Sequence, residues 1–282
     1  MQNHDSLDRL LRIMARLRDP AGGCPWDLQQ DFASIAPHTV EEVYEVVDAI
    51  ETGAMDQLKQ ELGDLLFQVV FYAQLGREQH LFDFDAIADA ICSKLLHRHP
   101  HVFPHGMLEE DIARVAITPE QVAGNWETIK AEERRQKAGG EPGSTLDDVP
   151  LALPALLRAA KLQKRAAGVG FDWRETGGVL AKLREELVEL EQALAVGERA
   201  GVDEELGDLL FTVVNLARHL RLNPETSLRQ ANRKFELRFR RMEILAMAQG
   251  RLLEELDADA LDAYWEQAKA AEKTAQLPLE NH

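Results

Sequence analysis

The chain has 282 residues, 45% of them hydrophobic and 29% charged, the composition of a folded globular protein. A formal net charge of −17 excludes non-specific attachment to a nucleic-acid polymer or an anionic membrane surface, since both need a basic face. Two cysteines, Cys24 and Cys92, supply no disulfide framework, and the first residues show neither a basic region nor an apolar stretch, so a cytoplasmic protein is expected.

Apolar residues recurring at helical spacing predict helices over roughly 5–18, 39–51, 56–76, 84–98 and 119–137. Residues 137–150 cluster Gly, Pro, Ser and Asp and predict a linker, which divides the chain into domains 1–136 and 151–282. Beyond it the pattern resumes, with helices expected over 151–167, 176–195, 202–221, 225–249 and 258–274. Nothing alternates with period two for long enough to suggest a sheet. The expected fold class is therefore all-α, two tandem repeated helical bundles.

The repeat is direct. Glu61-Leu-Gly-Asp-Leu-Leu-Phe-Gln-Val-Val-Phe-Tyr-Ala73 returns 144 residues later as Glu205-Leu-Gly-Asp-Leu-Leu-Phe-Thr-Val-Val-Asn-Leu-Ala217, identical at 10 of 13 positions. Upstream, Glu42-x-x-Glu45 matches Glu186-x-x-Glu189 at the same offset. Residues three apart share a helix face, so Glu42 and Glu45 project together, as do Glu61 and Asp64. If the helices fold back through a turn at Gly53, and at Gly197 in the second half, four carboxylates converge in each half. Converging acids repel and lose hydration, so they call for cations, and an all-oxygen set suits Mg²⁺ first and Mn²⁺ second. The rival explanation is a solvated acidic face. For Glu42 a second rival is a helix capping box with Thr39, unavailable to Glu186 because its counterpart is Leu183. The helix opened by Glu61 and Asp64 continues as an apolar run and is expected to be buried nearly all round. Gly63 and Gly207 cost about 1 kcal/mol each relative to Ala inside a helix. They suggest either close approach of a ligand or another helix, or ordinary tight packing.

Each half also carries cations and an aromatic. Lys94 and Arg98, and Lys234 and Arg238, stand one helical turn apart and could grip phosphate oxygens, while Trp126 and Trp265 could stack on a base. His97, His99 and His101 lie on alternate residues around a proline, a poor spacing for zinc. The sequence contains no Walker-type glycine loop and no Gly-x-Ser-x-Gly elbow, so phosphate chemistry would run through metal.

The doubled Glu-x-x-Glu … Glu-Leu-Gly-Asp-Leu-Leu-Phe pattern, with Gly-Gly-Cys-Pro-Trp-Asp at 22–27, Arg-His-Pro-His-Val-Phe at 98–103 and Gly-Phe-Asp-Trp at 170–173, resembles the two-domain MazG nucleoside triphosphate pyrophosphohydrolases. The resemblance spans nearly the whole chain. It implies the all-α NTP pyrophosphatase fold, Mg²⁺ dependence, a homodimer, and cleavage of nucleoside triphosphates to monophosphate and pyrophosphate with broad base specificity. Carried over by position, Glu186, Glu189, Glu205 and Asp208 would be the metal ligands and catalytic acids of the main, C-terminal site. Glu42, Glu45, Glu61 and Asp64 would be the N-terminal equivalents. Lys234, Phe235, Arg238 and Phe239 would contact nucleotide, Trp265 would pack against the base, and Lys182 and Glu185 would contribute beside the first acid pair. Two other readings remain. A di-iron bundle would want Glu-x-x-His where this chain has Glu and Asp; a nucleotide sensor would bind without turnover.

Overall fold

The computed structural model describes residues 5–108, 117–137 and 143–275. Among these residues there is no β-strand, and no helix is long and apolar enough to cross a membrane. The chain divides into two compact units, Met1–Lys137 and Ala138–His282.

In the first unit, α1 (Asp5–Leu17) leads into the short α2 (Pro25–Gln29), followed by α3 (Phe32–Thr52), α4 (Met55–Glu78), α5 (Phe84–Arg98) and α6 (Pro119–Lys137). The turn before α2 has no room for a side chain: a Cβ at Gly23 would strike the Leu17 carbonyl. Pro25 then opens α2 at a position where its missing N–H costs nothing. α3 and α4 form an antiparallel hairpin, and α1 and α5 both pack on α4. Gly53 closes α3 in the left-handed conformation, with φ 70°, and so lets the chain reverse. The core behind the hairpin is Met14, Ile35, Val70, Phe71 and Leu75, edged by Leu10, Phe32, Phe67 and Phe84.

The second unit repeats the plan with α7 (Ala155–Gly168), α8 (Thr176–Val196), α9 (Arg199–His219), α10 (Pro224–Ala248), a 3-10 turn (Leu253–Glu255) and α11 (Ala258–Ala275). α8 and α9 are the hairpin, reversed through Gly197 at φ 80°, and α7 packs on α9 as α1 does on α4. A separate cluster of Met242, Ala246, Tyr264 and Ala268 joins α10 to α11.

Three expectations are corrected. The helix expected from 39 begins at Phe32, although Pro37 stands inside it and removes one backbone hydrogen bond. The start is fixed by a reciprocal cap: Asp31 Oδ1 accepts from the Ala33 and Ser34 amides at 2.9 and 2.8 Å, while Ser34 Oγ accepts from the Asp31 amide at 2.9 Å. Thr39 is therefore mid-helix, its hydroxyl on the Ile35 carbonyl and the Tyr72 hydroxyl, and the capping role considered for Glu42 falls away. The helix expected from 151 begins at Ala155, because Pro154 disfavours helical geometry in the residue before it. The apolar run after Asp64 is buried on one side only: Val70 and Phe71 are fully enclosed, yet Leu66, and Leu210, Phe211 and Val213 in the repeat, are exposed. Each hairpin has neighbours on one side and an uncovered apolar face on the other. Of the expected linker, residues 138–142 lie outside the described residues.

Candidate metal centre

The acids meet because each pair occupies one helix face and the hairpin turns those faces toward each other. In the first unit, one carboxylate oxygen from each of Glu42, Glu45 and Glu61 lies within 4.8 Å of the others. In the second, Glu186, Glu205 and Asp208 do the same. Each half thus gathers three of its four acids and leaves out a different one. Asp64 stands outside the first trio but acts on Glu42 through its charge. Glu189 stands outside the second, its charge acting on Glu205 and its carboxylate 3.9 Å from Lys182 Nζ.

Glu45 and Asp208 are exposed, but a solvated acidic face does not describe the other four members of the trios. Glu186 is 4% exposed, and Glu42 is half-buried with Oε2 enclosed and without a hydrogen-bond partner. Desolvation, reinforced by the charges of Asp64, Glu61 and Glu41, pushes the Glu42 carboxyl above its ordinary pKa, and a hydrogen bond from Gln68 pulls weakly the other way. Glu45 is raised by desolvation and then by Glu61 and Glu42; Glu205 is raised by desolvation and then by Glu189, Glu186 and Asp208. Hard oxygen donors that repel one another, with a buried carboxylate oxygen lacking any donor, fit a hard divalent cation. No histidine joins either trio among the described residues, which disfavours iron and zinc.

The two trios differ in their nearest cation. Lys182 Nζ sits 2.7 Å from Glu185 and 3.0 Å from Glu186, and these carboxylates hold the ammonium well above its usual pKa, Glu185 most of all. The same repeat position in the first unit is His38, 3.8 Å from Glu41. Gly63 and Gly207 are open positions: a Cβ on either would meet nothing within 4 Å, so tight packing inside the chain accounts for neither.

Of the expected phosphate grips, the two arginines have partners of their own, while Lys94 and Lys234 are exposed. Arg98 donates through Nε and Nη2 to Glu133 at 3.0 and 2.5 Å, and Arg238 Nε donates to Glu272 at 2.7 Å. These acids were not singled out in the sequence, yet a signal existed, since each lies seven residues after its tryptophan, Trp126 or Trp265. Arg238 also lies 5.8 Å over the Trp265 ring, whose centroid is 5.4 Å from that of Phe235; Phe239 stacks on Phe235 at 6.0 Å. Phe235, Arg238, Phe239 and Trp265 therefore form one patch, with Phe235, Phe239 and Lys234 exposed on its helix. In the first unit Trp126 meets His99 edge-on at 5.2 Å, and Lys130 stands 5.7 Å from its ring. Asp172, in the Gly-Phe-Asp-Trp stretch, accepts from Arg218 and His219 at the end of α9 and ties that loop to the hairpin.

A duplicated all-helical bundle, with a carboxylate trio clasped in each hairpin, defines an all-α protein with two related clusters of oxygen donors of the kind a metal ion takes. The profile of the MazG nucleotide pyrophosphohydrolase domain matches residues 30–103 and again 175–242, which spans both hairpins. The chain belongs to the MazG family. The nucleoside triphosphate pyrophosphohydrolase of Escherichia coli K12 is 51% identical over 270 residues, 95% of this chain and 98% of that protein. The nucleoside triphosphate pyrophosphohydrolase/pyrophosphatase MazG of Thermotoga maritima is 42% identical over 267 residues, 95% and 97% of the two chains. The crystal structure of a MazG-related protein from Thermotoga maritima aligns with 44% of this chain and 98% of its own, at 26% identity and a TM-score of 0.36.

Proposed function

We propose that this chain hydrolyses nucleoside triphosphates to monophosphate and pyrophosphate with Mg²⁺ as cofactor, Mn²⁺ being able to substitute. The observation that carries the reading is the carboxylate trio Glu186, Glu205 and Asp208, partly buried in a hairpin of a chain so similar to enzymes bearing that name. Bound among these acids, Mg²⁺ would supply positive charge to the triphosphate and acidify a water for attack at the α-phosphorus. Glu186, Glu205 and Asp208 hold the cation. Glu189, outside the trio and partly solvated, is suited to take the proton from the attacking water. Lys182 and Glu185 stand beside the trio, and the patch of Lys234, Phe235, Arg238, Phe239 and Trp265 receives the nucleotide. A stack of aromatic faces reads little of a base's edge, which supports broad base specificity and a role in clearing unwanted nucleotides. Glu42, Glu45, Glu61 and Asp64 form the second metal centre, and the C-terminal domain, 151–282, is the main catalytic one.

The exposed apolar faces of the hairpins, Val43, Leu62 and Leu66 in one and Leu187, Leu206 and Leu210 in the other, support a homodimer. The acidic charge supports a protein acting on small nucleotides rather than on nucleic acid or membrane, and two free cysteines with no disulfide framework support a cytoplasmic location. Anion-exchange analysis of products from each common NTP, with and without Mg²⁺, tests the reading. Monophosphate plus pyrophosphate is expected, lost in Glu186→Ala and retained in Glu42→Ala; diphosphate plus phosphate would place attack at the γ-phosphorus and overturn it.

A further inference from the structure

The two halves carry the same acids at the same spacing and differ in the residue one turn before them, Lys182 in the second and His38 in the first. We propose that Lys182 is a tethered counter-ion that weakens divalent-cation binding at the C-terminal trio, while the N-terminal trio, which has no such cation among the described residues, takes metal more tightly in the absence of nucleotide. The inference rests on reading both trios as metal centres.

The Lys182 ammonium bonds Glu185 at 2.7 Å and Glu186, a member of the trio, at 3.0 Å, and lies 3.9 Å from Glu189. A cation entering that trio must compete with an ammonium already neutralising part of its charge, and Glu186 must give up an ion pair to serve it. In the first unit His38 stands 3.8 Å from Glu41 on the exposed surface and meets the Trp26 ring edge-on at 6.0 Å, and among the described residues it pairs with no member of the trio. Among the described residues no lysine or arginine pairs with Glu42, Glu45 or Glu61, and the enclosed Glu42 Oε2 has no donor. An entering cation there displaces no protein charge and relieves the mutual repulsion of three carboxylates. The halves therefore respond differently to the same free metal concentration.

Mn²⁺ binding to the full-length protein without nucleotide, read from the electron paramagnetic resonance of free Mn²⁺, tests this. Two classes of site are expected, the tight one abolished by Glu42→Gln with Glu61→Gln. Lys182→Met strengthens the weak class about tenfold, the scale of one charge pair at that separation in a water-like dielectric. Arg184→Met makes the same charge change two residues along α8, on another face, and leaves binding unaltered. His38→Lys, the reverse transplant, weakens the tight class by a similar factor and keeps the test independent of how the Lys182 variant folds. A tight class that survives the double glutamine variant overturns the inference. So does a weak class indifferent to Lys182→Met, or a tight class indifferent to His38→Lys. Product analysis of the wild type is separate: turnover without this binding pattern sinks only the inference, and the pattern without turnover sinks only the enzymatic reading.

Discussion

Arg18 is the residue whose loss should damage the first unit most for a reason visible in its contacts. Its guanidinium is 7% exposed, donates from Nε and Nη2 to both oxygens of Glu78 at 2.6 to 3.1 Å, and donates from Nη1 to the carbonyls of Asp27 and Gln30. It also lies 5.3 Å over Phe71, at the centre of the core. One side chain thus fastens α1, α2 and α4 together. Arg18→Met keeps much of the volume but leaves the Gln30 carbonyl without its donor, the Asp27 carbonyl with only the Gln30 amide at 3.2 Å, and Glu78 without its cation. Breaking a buried pair costs about 3–5 kcal/mol. Glu78 is 33% exposed and can recover water, which brings the expected loss toward the lower bound, about 3 kcal/mol. Arg18→Lys keeps the charge and loses the fork, so its loss is smaller than that of Arg18→Met but not zero. Urea unfolding followed by tryptophan fluorescence reports on it through Trp26, which is in α2 itself. The acid limb gives a second readout. Arg18 holds Glu78 below its ordinary pKa, so the pair stabilises above pH 4.5 and that stabilisation is lost as pH falls through the lowered value. The Met variant should lack this component. A loss below about 1 kcal/mol with an unchanged acid limb would refute the reasoning.

Three further outcomes are expected. Gly63→Ala and Gly207→Ala each stabilise the metal-free protein by about 1 kcal/mol in a denaturant melt, since the added methyl meets nothing within the chain and only the backbone penalty changes; destabilisation would mean the space is occupied. With EDTA present, the raised carboxyls of Glu42, Glu45 and Glu205 stabilise fully below 4.5, and that contribution is lost as pH rises through their folded values. Thermal stability of the metal-free protein should therefore decline above pH 4.5, with a shallower decline in Glu42→Gln; a curve unchanged by that substitution would contradict the cause assigned here. Asp172→Asn loses its charge-assisted bonds to Arg218 and His219 and costs about 1–2 kcal/mol, measured by urea unfolding through Trp173 beside it; an unshifted midpoint would show the loop is held otherwise.

Local chemistry alone determined a good deal. The duplicated Glu-x-x-Glu and Glu-Leu-Gly-Asp runs announce two related hairpins, because the 3.6-residue period puts each acid pair on one face and Gly53 and Gly197 can reverse the chain at low cost. The early start of α3 was less legible, since Pro37 reads as a stop and only the Asp31–Ser34 cap together with burial of Ile35 outweighs it. Tertiary structure decided which acids meet. Spacing places four on facing surfaces, but the packing of α3 on α4 and of α8 on α9 brings in Glu45 and leaves Asp64 aside in one half, and does the reverse with Asp208 and Glu189 in the other. It likewise tied Arg98 to Glu133 and Arg238 to Glu272 across helices 35 and 34 residues apart in sequence. Periodicity records which way a side chain faces on its own helix. Which charge answers it depends on the neighbouring helix, and that is settled only when the apolar faces pack.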